Sequence, residues 1–421
     1  MPTANSTVMR LLAGLALAAL APAAAAAGAQ QPPPRLPVPL SRAQAVDAAL
    51  ARGARLGVAR ADTAAAFAGL LTARALPNPV LASSYSKATP QYHVALELPF
   101  DLPGLRQARI GSAEAARRAA QLRFAYERAA VALDADTTYT RALAALARAR
   151  LSRRNAADAD SLLRIAVARR DAGDASDLDV ELATVNAGQQ ANAAAGDSLA
   201  AIATLLDLQA IIGLAGDGGV AVVPSDSLVP PAPDRLALLA TTTGATLPVA
   251  AAEASLASAQ LAARLQRRAL FGTPALSAGF ETGDPSGAES GILPTVGISL
   301  PLPLLDRNRG AILQAEADRE RARAELALAR LEGQARIART TRERATALAR
   351  VERDQRLVAS ANRVAAMSLT AYREGESSLP NVIEAQRNAR DVLVQYVDDV
   401  ATAWIATATL RVYSLTTGSS R

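Results

Sequence analysis

Two tracts of the chain, residues 105–170 and 308–373, each run for 66 residues without a proline and with almost no glycine. Unbroken over that length, such tracts read as helix, and at 1.5 Å per residue each would reach on the order of 100 Å. Globular helices are far shorter, so these helices need long partners to lie against. Apolar residues recur along them at mixed threes and fours. Heptad steps occur at Leu331, Ala338 and Ala345 and at Leu357, Val364 and Ala371, the pattern of coiled-coil-like rods.

Each tract ends at a break of the same design. In AYREGESSLPNVIEAQR (Ala371 to Arg387), Gly375 stands where a glycine ends a helix and Ser378 where a serine caps the next. Pro380 falls in the first turn, where no intrahelical donor is lost. ARRDAGDASDLDVELA (Ala168 to Ala183) repeats the design, with Ser176 and Asp179 at capping-box spacing. Gly173 and Gly375, Ser176 and Ser378, Val180 and Val382, and Ala183 and Ala385 are each 202 residues apart. The same offset carries Leu98-Pro99 onto Leu300-Pro301. The chain is therefore expected to hold two tandem copies, residues 30–215 and 234–416, joined by a Pro- and Gly-rich linker at 216–233 and followed by a tail at 417–421.

Within each copy the period changes from helical to two. Tyr92, Val94, Leu96 and Leu98 alternate with Gln91, His93, Ala95 and Glu97, and VLASSYS (Val80 to Ser86) supplies a partner strand. In the second copy Leu276, Ala278 and Phe280 alternate with Ser277, Gly279 and Glu281. Val296, Ile298 and Leu300 alternate with Thr295, Gly297 and Ser299. Each copy thus carries one β-hairpin, at about 80–98 and 275–300, with one oily face. Two hairpins cannot close a barrel alone, and an open sheet edge is not tolerated in lipid. If the oily faces meet lipid, several chains must pool their strands, and the opposite faces would suit a water-filled lumen. Tyr85, Tyr92 and Phe280 read equally as an interfacial aromatic girdle or as ordinary strand packing.

The N-terminus reads as an export signal spanning residues 1–29: Arg10, an apolar run from Leu11 to Leu20, then Ala-x-Ala, with cleavage expected after Ala27 or Ala29. The chain has no cysteine. Disulfides, a lipid-modified cysteine, zinc–thiolate sites and cysteine nucleophiles are thereby excluded. The net charge of +6 rests on arginine, Lys87 being the sole lysine. Those arginines interleave with acids, as in EADRERARAEL (Glu316 to Leu326), which reads as a salt-bridged solvated face and not as a nucleic-acid surface.

Taken together, the signal, LPNP (Leu76 to Pro79) before the first hairpin, the two Leu-Pro exits, the paired tips and the duplication resemble the TolC-like outer membrane efflux proteins. The resemblance covers nearly all of the mature chain. It implies a mainly α fold with a small β part. Long helical hairpins would form a periplasmic α-barrel, and four strands per chain would be pooled in a homotrimer into a twelve-stranded outer-membrane β-barrel. It further implies a passive channel of a tripartite efflux system, without cofactor or metal site. The partners would be outer-membrane lipid, a periplasmic adaptor protein and an inner-membrane pump, the RND type being one candidate. The LPNP form and moderate length lean towards the branch that serves heavy-metal pumps, while drugs and proteins stay open as cargo.

Carried over residue by residue, the family's periplasmic aperture falls on Asn381 and Glu384. Three symmetry-related Glu384 carboxylates would favour cations, although Glu384 also reads as a solvated acid near a helix N-terminus. Adaptor contacts at the tips fall on Gly173, Ser176, Gly375 and Ser378, and lumen-facing strand positions on His93, Glu97 and Glu281. Ser377 stands where some members carry a latching basic residue, with Arg373 nearby at a different spacing. A barrel-free periplasmic adaptor or coiled-coil structural protein is the alternative. An enzyme is not expected, because no nucleophile elbow, phosphate loop or zinc constellation is visible and His93 is the single histidine.

Overall fold

Rod-forming helix and period-two strand divide the chain between them. A computed structural model of the protein describes residues 39–214, 223–231, 245–283 and 291–415. The export signal, the cleavage site and the C-terminal tail lie outside the described residues. The order of elements is α1 (Arg42–Arg52), α2 (Ala54–Arg74), β1 (Val80–Tyr85), β2 (Tyr92–Pro99), α3 (Leu105–Asp171) and α4 (Asp177–Ile211). Then come α5 (Leu247–Arg268), β3 (Ala275–Thr282), β4 (Leu293–Ser299), α6 (Arg309–Arg373) and α7 (Leu379–Tyr413). The chain is mostly helical with a small strand part. α3 and α6 hold 67 and 65 residues, and α4 and α7 hold 35 each.

The two breaks are built alike. Gly173 and Gly375 take φ of 85° and 82°, the left-handed conformation that lets a helix end. Asp174 N–H donates to Arg169 O and Glu376 N–H to Ala371 O, both at 2.8 Å, closing each rod. Ser176 then caps α4 in a full capping box with Asp179. Ser378 occupies the same place before α7 but its side chain makes no capping bond, and Pro380 sits in the first turn instead. The expected serine cap of α7 is thus positional only. Asn381, at the place of Asp179, turns its amide to Ser377 Oγ at 3.4 Å instead, so no reciprocal box forms.

α3 lies along α4 and α6 along α7, with α5 packed against both α3 and α6. The heptad steps read from the sequence are not the seam of this packing. Leu331, Leu357 and Val364 are more than half exposed. The buried stripe of α6 is a neighbouring phase in which small or polar residues predominate: Leu326, Gly333, Thr340, Ala347 and Asp354 at successive steps of seven. Small side chains let backbones approach closely and bury as ridges into grooves. α6 therefore carries two apolar stripes, one used within the chain and one left free.

All four strands form a single antiparallel sheet in the order β1-β2-β3-β4, so the two hairpins join through β2 and β3. The register sets Val94 opposite Phe280, Leu96 opposite Ala278 and Leu98 opposite Leu276. One continuous apolar face results, and it points outward: Leu81 is 68% exposed, Ile298 71% and Val296 81%. The face of His93, Ala95, Glu97, Ser277, Gly279 and Glu281 is half-buried. A sheet in a water-soluble protein would be covered the other way round. The half-covered side is crowded, since a Cβ at Gly279 would stand 2.3 Å from Val94 O, and only glycine permits that approach.

The segment read as a linker is tied down where it is described. Leu40 and Ser225 exchange backbone bonds with Val223 and Leu40, each at 2.9 Å. The fully buried Tyr139 hydroxyl lies 2.9 Å from both Leu40 O and Asp226 Oδ2. Trp404 Nε1 donates to Val229 O at 2.6 Å, and the Arg42 guanidinium stacks over Trp404 at 4.5 Å. This strap binds the first repeat to α7. Replacing Tyr139 with Phe should lower stability by about 1–2 kcal/mol, because the hydroxyl of a fully buried side chain no longer bonds Leu40 O and Asp226 Oδ2. The check is a denaturant midpoint shifted down at unchanged slope; an unmoved midpoint would show that water supplies the missing bond.

Candidate functional site

The chain offers two candidate regions, the helix tips and the half-covered face of the sheet. At the tips, Leu162 and Ala166 of α3, Ala183 of α4, Tyr372 of α6 and Leu379 and Val382 of α7 bury one another. This small core fastens one helical hairpin to the other. Above it lies a cavity of about 780 Å³ lined by Asn155, Asn186, Gln190, Arg373, Arg387 and Arg390 among others. Arg390 Nη1 spans it, donating to Gln190 Oε1 at 2.8 Å.

Arg169, in the last turn of α3, fastens both turns at once. Its Nη1 donates to Tyr372 O, its Nη2 to Asp174 O at 3.2 Å, and its guanidinium lies 4.7 Å from the Tyr372 ring centroid. A cation there adds a donor to a carbonyl in the last turn of α6 and another in the turn after α3, and it stands near both negative dipole ends. The planar group also suits stacking on the ring, which lysine would do less well. Burial pushes the Tyr372 hydroxyl pKa up; Arg169 pulls it down and Asp179 pushes it further up. Sequence reading missed Arg169, since an arginine ending a helix is common and its partner is 203 residues away. Ser377, at the expected latch position, only accepts a 3.4 Å bond from Asn381 Nδ2.

Asn381 and Glu384 lie almost one turn apart on the exposed face of α7, while Val382, Ala385 and Ala389 bury the opposite face. Glu384 Oε1 accepts from Asn388 Nδ2 at 3.3 Å. Gly173, Ser176, Gly375 and Ser378 are exposed at the two turns, apart from the stripe of Glu384. On the sheet, His93 and Glu281 face each other across the junction of the two repeats, with Nδ1 3.1 Å from Oε1. Glu97 sits on the same face between Val80 and Ser277. Among the described residues, no three His, Cys, Asp or Glu side chains cluster to hold a metal ion.

The outer membrane efflux protein family profile matches residues 246–414. The chain thus resembles the TolC-like outer membrane efflux proteins, with the family match lying in its second repeat. The cobalt-zinc-cadmium resistance protein CzcC of Cupriavidus metallidurans is 24% identical over 378 residues, 88% of this chain and 89% of the relative. A membrane protein from Pseudomonas aeruginosa shares the fold with a TM-score of 0.74 at 21% identity, over 89% of this chain and 93% of the other. The outer membrane protein VceC of Vibrio cholerae gives 0.73 at 16% identity, over 89% and 95%.

At the tips, the Arg169 clasp is the feature to test. Arg169→Ala should speed amide exchange at 172–178 and 374–380 by about tenfold or more, since a charge-assisted bond and a ring contact are lost together. Arg169→Lys should recover part of the protection. Equal exchange in all three proteins would mean that the small apolar core alone holds the tips.

Proposed function

We propose that this protein is the passive outer-membrane conduit of a tripartite efflux system. Three copies pool twelve strands into one β-barrel, and their helical hairpins continue it as a tunnel into the periplasm. The observation that carries this reading is the inside-out sheet. Its oily face is exposed, its polar face is half-covered, and the outer edges of β1 and β4 pair with nothing among the described residues. In water both features are liabilities; in lipid, closure of pooled strands satisfies the edges and the oily face meets hydrocarbon. Oligomerisation is supported separately by the free apolar stripe of α6, with Leu328, Leu331, Leu357, Val364 and Met367 all more than half exposed.

On this reading the two repeats, 30–215 and 234–416, supply two of the six hairpins around the tunnel. Asn381 and Glu384 line the periplasmic aperture, and the turns at Gly173, Ser176, Gly375 and Ser378 meet a periplasmic adaptor that links the channel to an inner-membrane pump. His93, Glu97 and Glu281 face the barrel lumen. The resemblance to the cobalt-zinc-cadmium resistance protein supports divalent metal ions as cargo. Selection among metals then belongs to the pump, because this chain offers no relay of soft ligands. Arg169 takes the part of the latch that holds the tips together.

Single-channel recording of the detergent-extracted protein in a planar bilayer tests the proposal. Small cation-selective steps are expected, and Glu384→Ala should weaken the selectivity by removing three carboxylates from the constriction. Unchanged reversal potentials in a salt gradient would remove Glu384 from the aperture. Absence of steps with intact protein in the bilayer would favour a barrel-free periplasmic protein.

A further inference from the structure

The α6 and α7 helices bury two carboxylates against each other at mid-length, and nothing described so far uses them. Asp354 is 8% exposed and Asp399 4%. Asp399 is provided for: Gln395 Nε2 donates to its Oδ2 at 3.1 Å, and Arg350 Nη1 stands 3.6 Å from its Oδ1. Asp354 is not. Its Oδ2 is fully buried and meets no donor among the described residues. The nearby cations are otherwise engaged, with Arg148 of α3 paired to Asp398 of α7 and Arg350 of α6 leaning on Asp399. Arg353 is exposed to solvent. An isolated ionised carboxylate in such a place costs several kcal/mol, so it protonates instead.

The internal repeat says what the proton does. Moved back by 202 residues, Asp354 falls on Ser152 and Asp399 on Asp197. In the first repeat Ser152 Oγ donates to Asp197 Oδ2, joining α3 to α4 at the same height. The carboxylate acceptor is kept in both repeats and only the donor differs. A carboxyl group can take the place of a serine hydroxyl only when it carries a proton. Even Arg148 and Arg350 are repeat mates, one 202 residues before the other.

We propose that Asp354 and Asp399 share one proton, which fastens α6 to α7 as the Ser152 hydroxyl fastens α3 to α4, and whose loss loosens the second hairpin alone. Burial pushes the Asp354 pKa up, and Asp399 pushes it further by contact and by charge; Arg353 and Arg350 oppose this. A raised native pKa stabilises the fold fully at acid pH. That contribution is lost as the pH climbs from the ordinary carboxylate range through the raised value. The first hairpin, locked by a serine, keeps its fastening throughout. The pair stands without the channel reading; only its bearing on the aperture, through the tip that α6 and α7 carry, rests on that reading.

The test needs no channel activity, so its failure and that of the channel reading are distinguishable. Amide exchange of the purified full-length protein is followed at 347–358 and 395–403 between about pH 5 and about pH 8, corrected for the intrinsic rate. The opening equilibrium of the wild type should rise by up to about tenfold per pH unit inside the titration window, and by less outside it. In Asp354→Ser, which copies the first repeat, and in Asp354→Asn, which donates without titrating, it should stay flat. Infrared spectroscopy should show a protonated carboxyl band in the wild type that vanishes in both variants. Equal pH dependence in wild type and variants, or no such band, overturns the proposal. A wild-type response to chelator instead of to pH also overturns it, by placing a cation between the carboxylates.

Discussion

Close approach of long helices through small side chains is the constraint on which the rest of this structure depends. α6 buries Ala315, Ala322, Gly333, Thr340 and Ala347, and α7 buries Ala385, Ala389, Ala401, Ala403, Ala406 and Ala408. Each contributes little apolar area by itself, so stability must come from length and from the density of packing. The same tightness explains why polar groups in the seam need built-in partners. Thr407 bonds its own helix at Ala403 O and accepts from Arg344 Nε, and Ser152 bonds Asp197. Where the seam lacks a ready partner, as at Asp354, chemistry has to supply one.

The rods also fix where function can sit, because they separate the strands from the turns. At one end the sheet inverts the usual covering, with oily residues outward and His93, Glu97 and Glu281 on the crowded side. At the other end a core of six residues and one arginine hold the two hairpins together. A stiff connection between the ends means that loosening along α6 and α7 is felt at the tip they carry. Global packing need not change for this, since the first hairpin has its own fastening.

How much of this is legible in the sequence depends on the range of the interaction. Rods, breaks and strands are local, so missing prolines, the glycines at 173 and 375 and the alternation at Tyr92 to Leu98 locate them. The family resemblance rests on the order of those local signals. The phase of α6 that packs is not local: Leu331 and Leu357 are larger than Gly333 and Ala347 and dominate any hydrophobic reading, yet the larger residues face outward. A seam of small residues hides in an alanine-rich sequence because alanine is everywhere. Arg169 and the strap at Asp226 are invisible for a related reason, their partners being backbone carbonyls or residues 87 and more positions away.

Duplication lets the two halves be read against each other, and their differences are concentrated where they do different work. At the first tip the offset positions are Arg170, Asp177, Asp179 and Glu181; at the second they are Tyr372, Leu379, Asn381 and Ile383. Three of these four charged positions become aromatic or aliphatic on the second tip, Asn381 staying polar, and three of the six residues in the tip core come from α6 and α7. The second hairpin therefore leans on the first through apolar contact, while the acidic turn of the first stays in solvent. Glu384 runs against this trend, an acid where the first repeat has Leu182. Packing does not require this exposed acid: solvation near the helix N-terminus accounts for it as an isolated residue, and the proposed aperture gives it a role in the assembly.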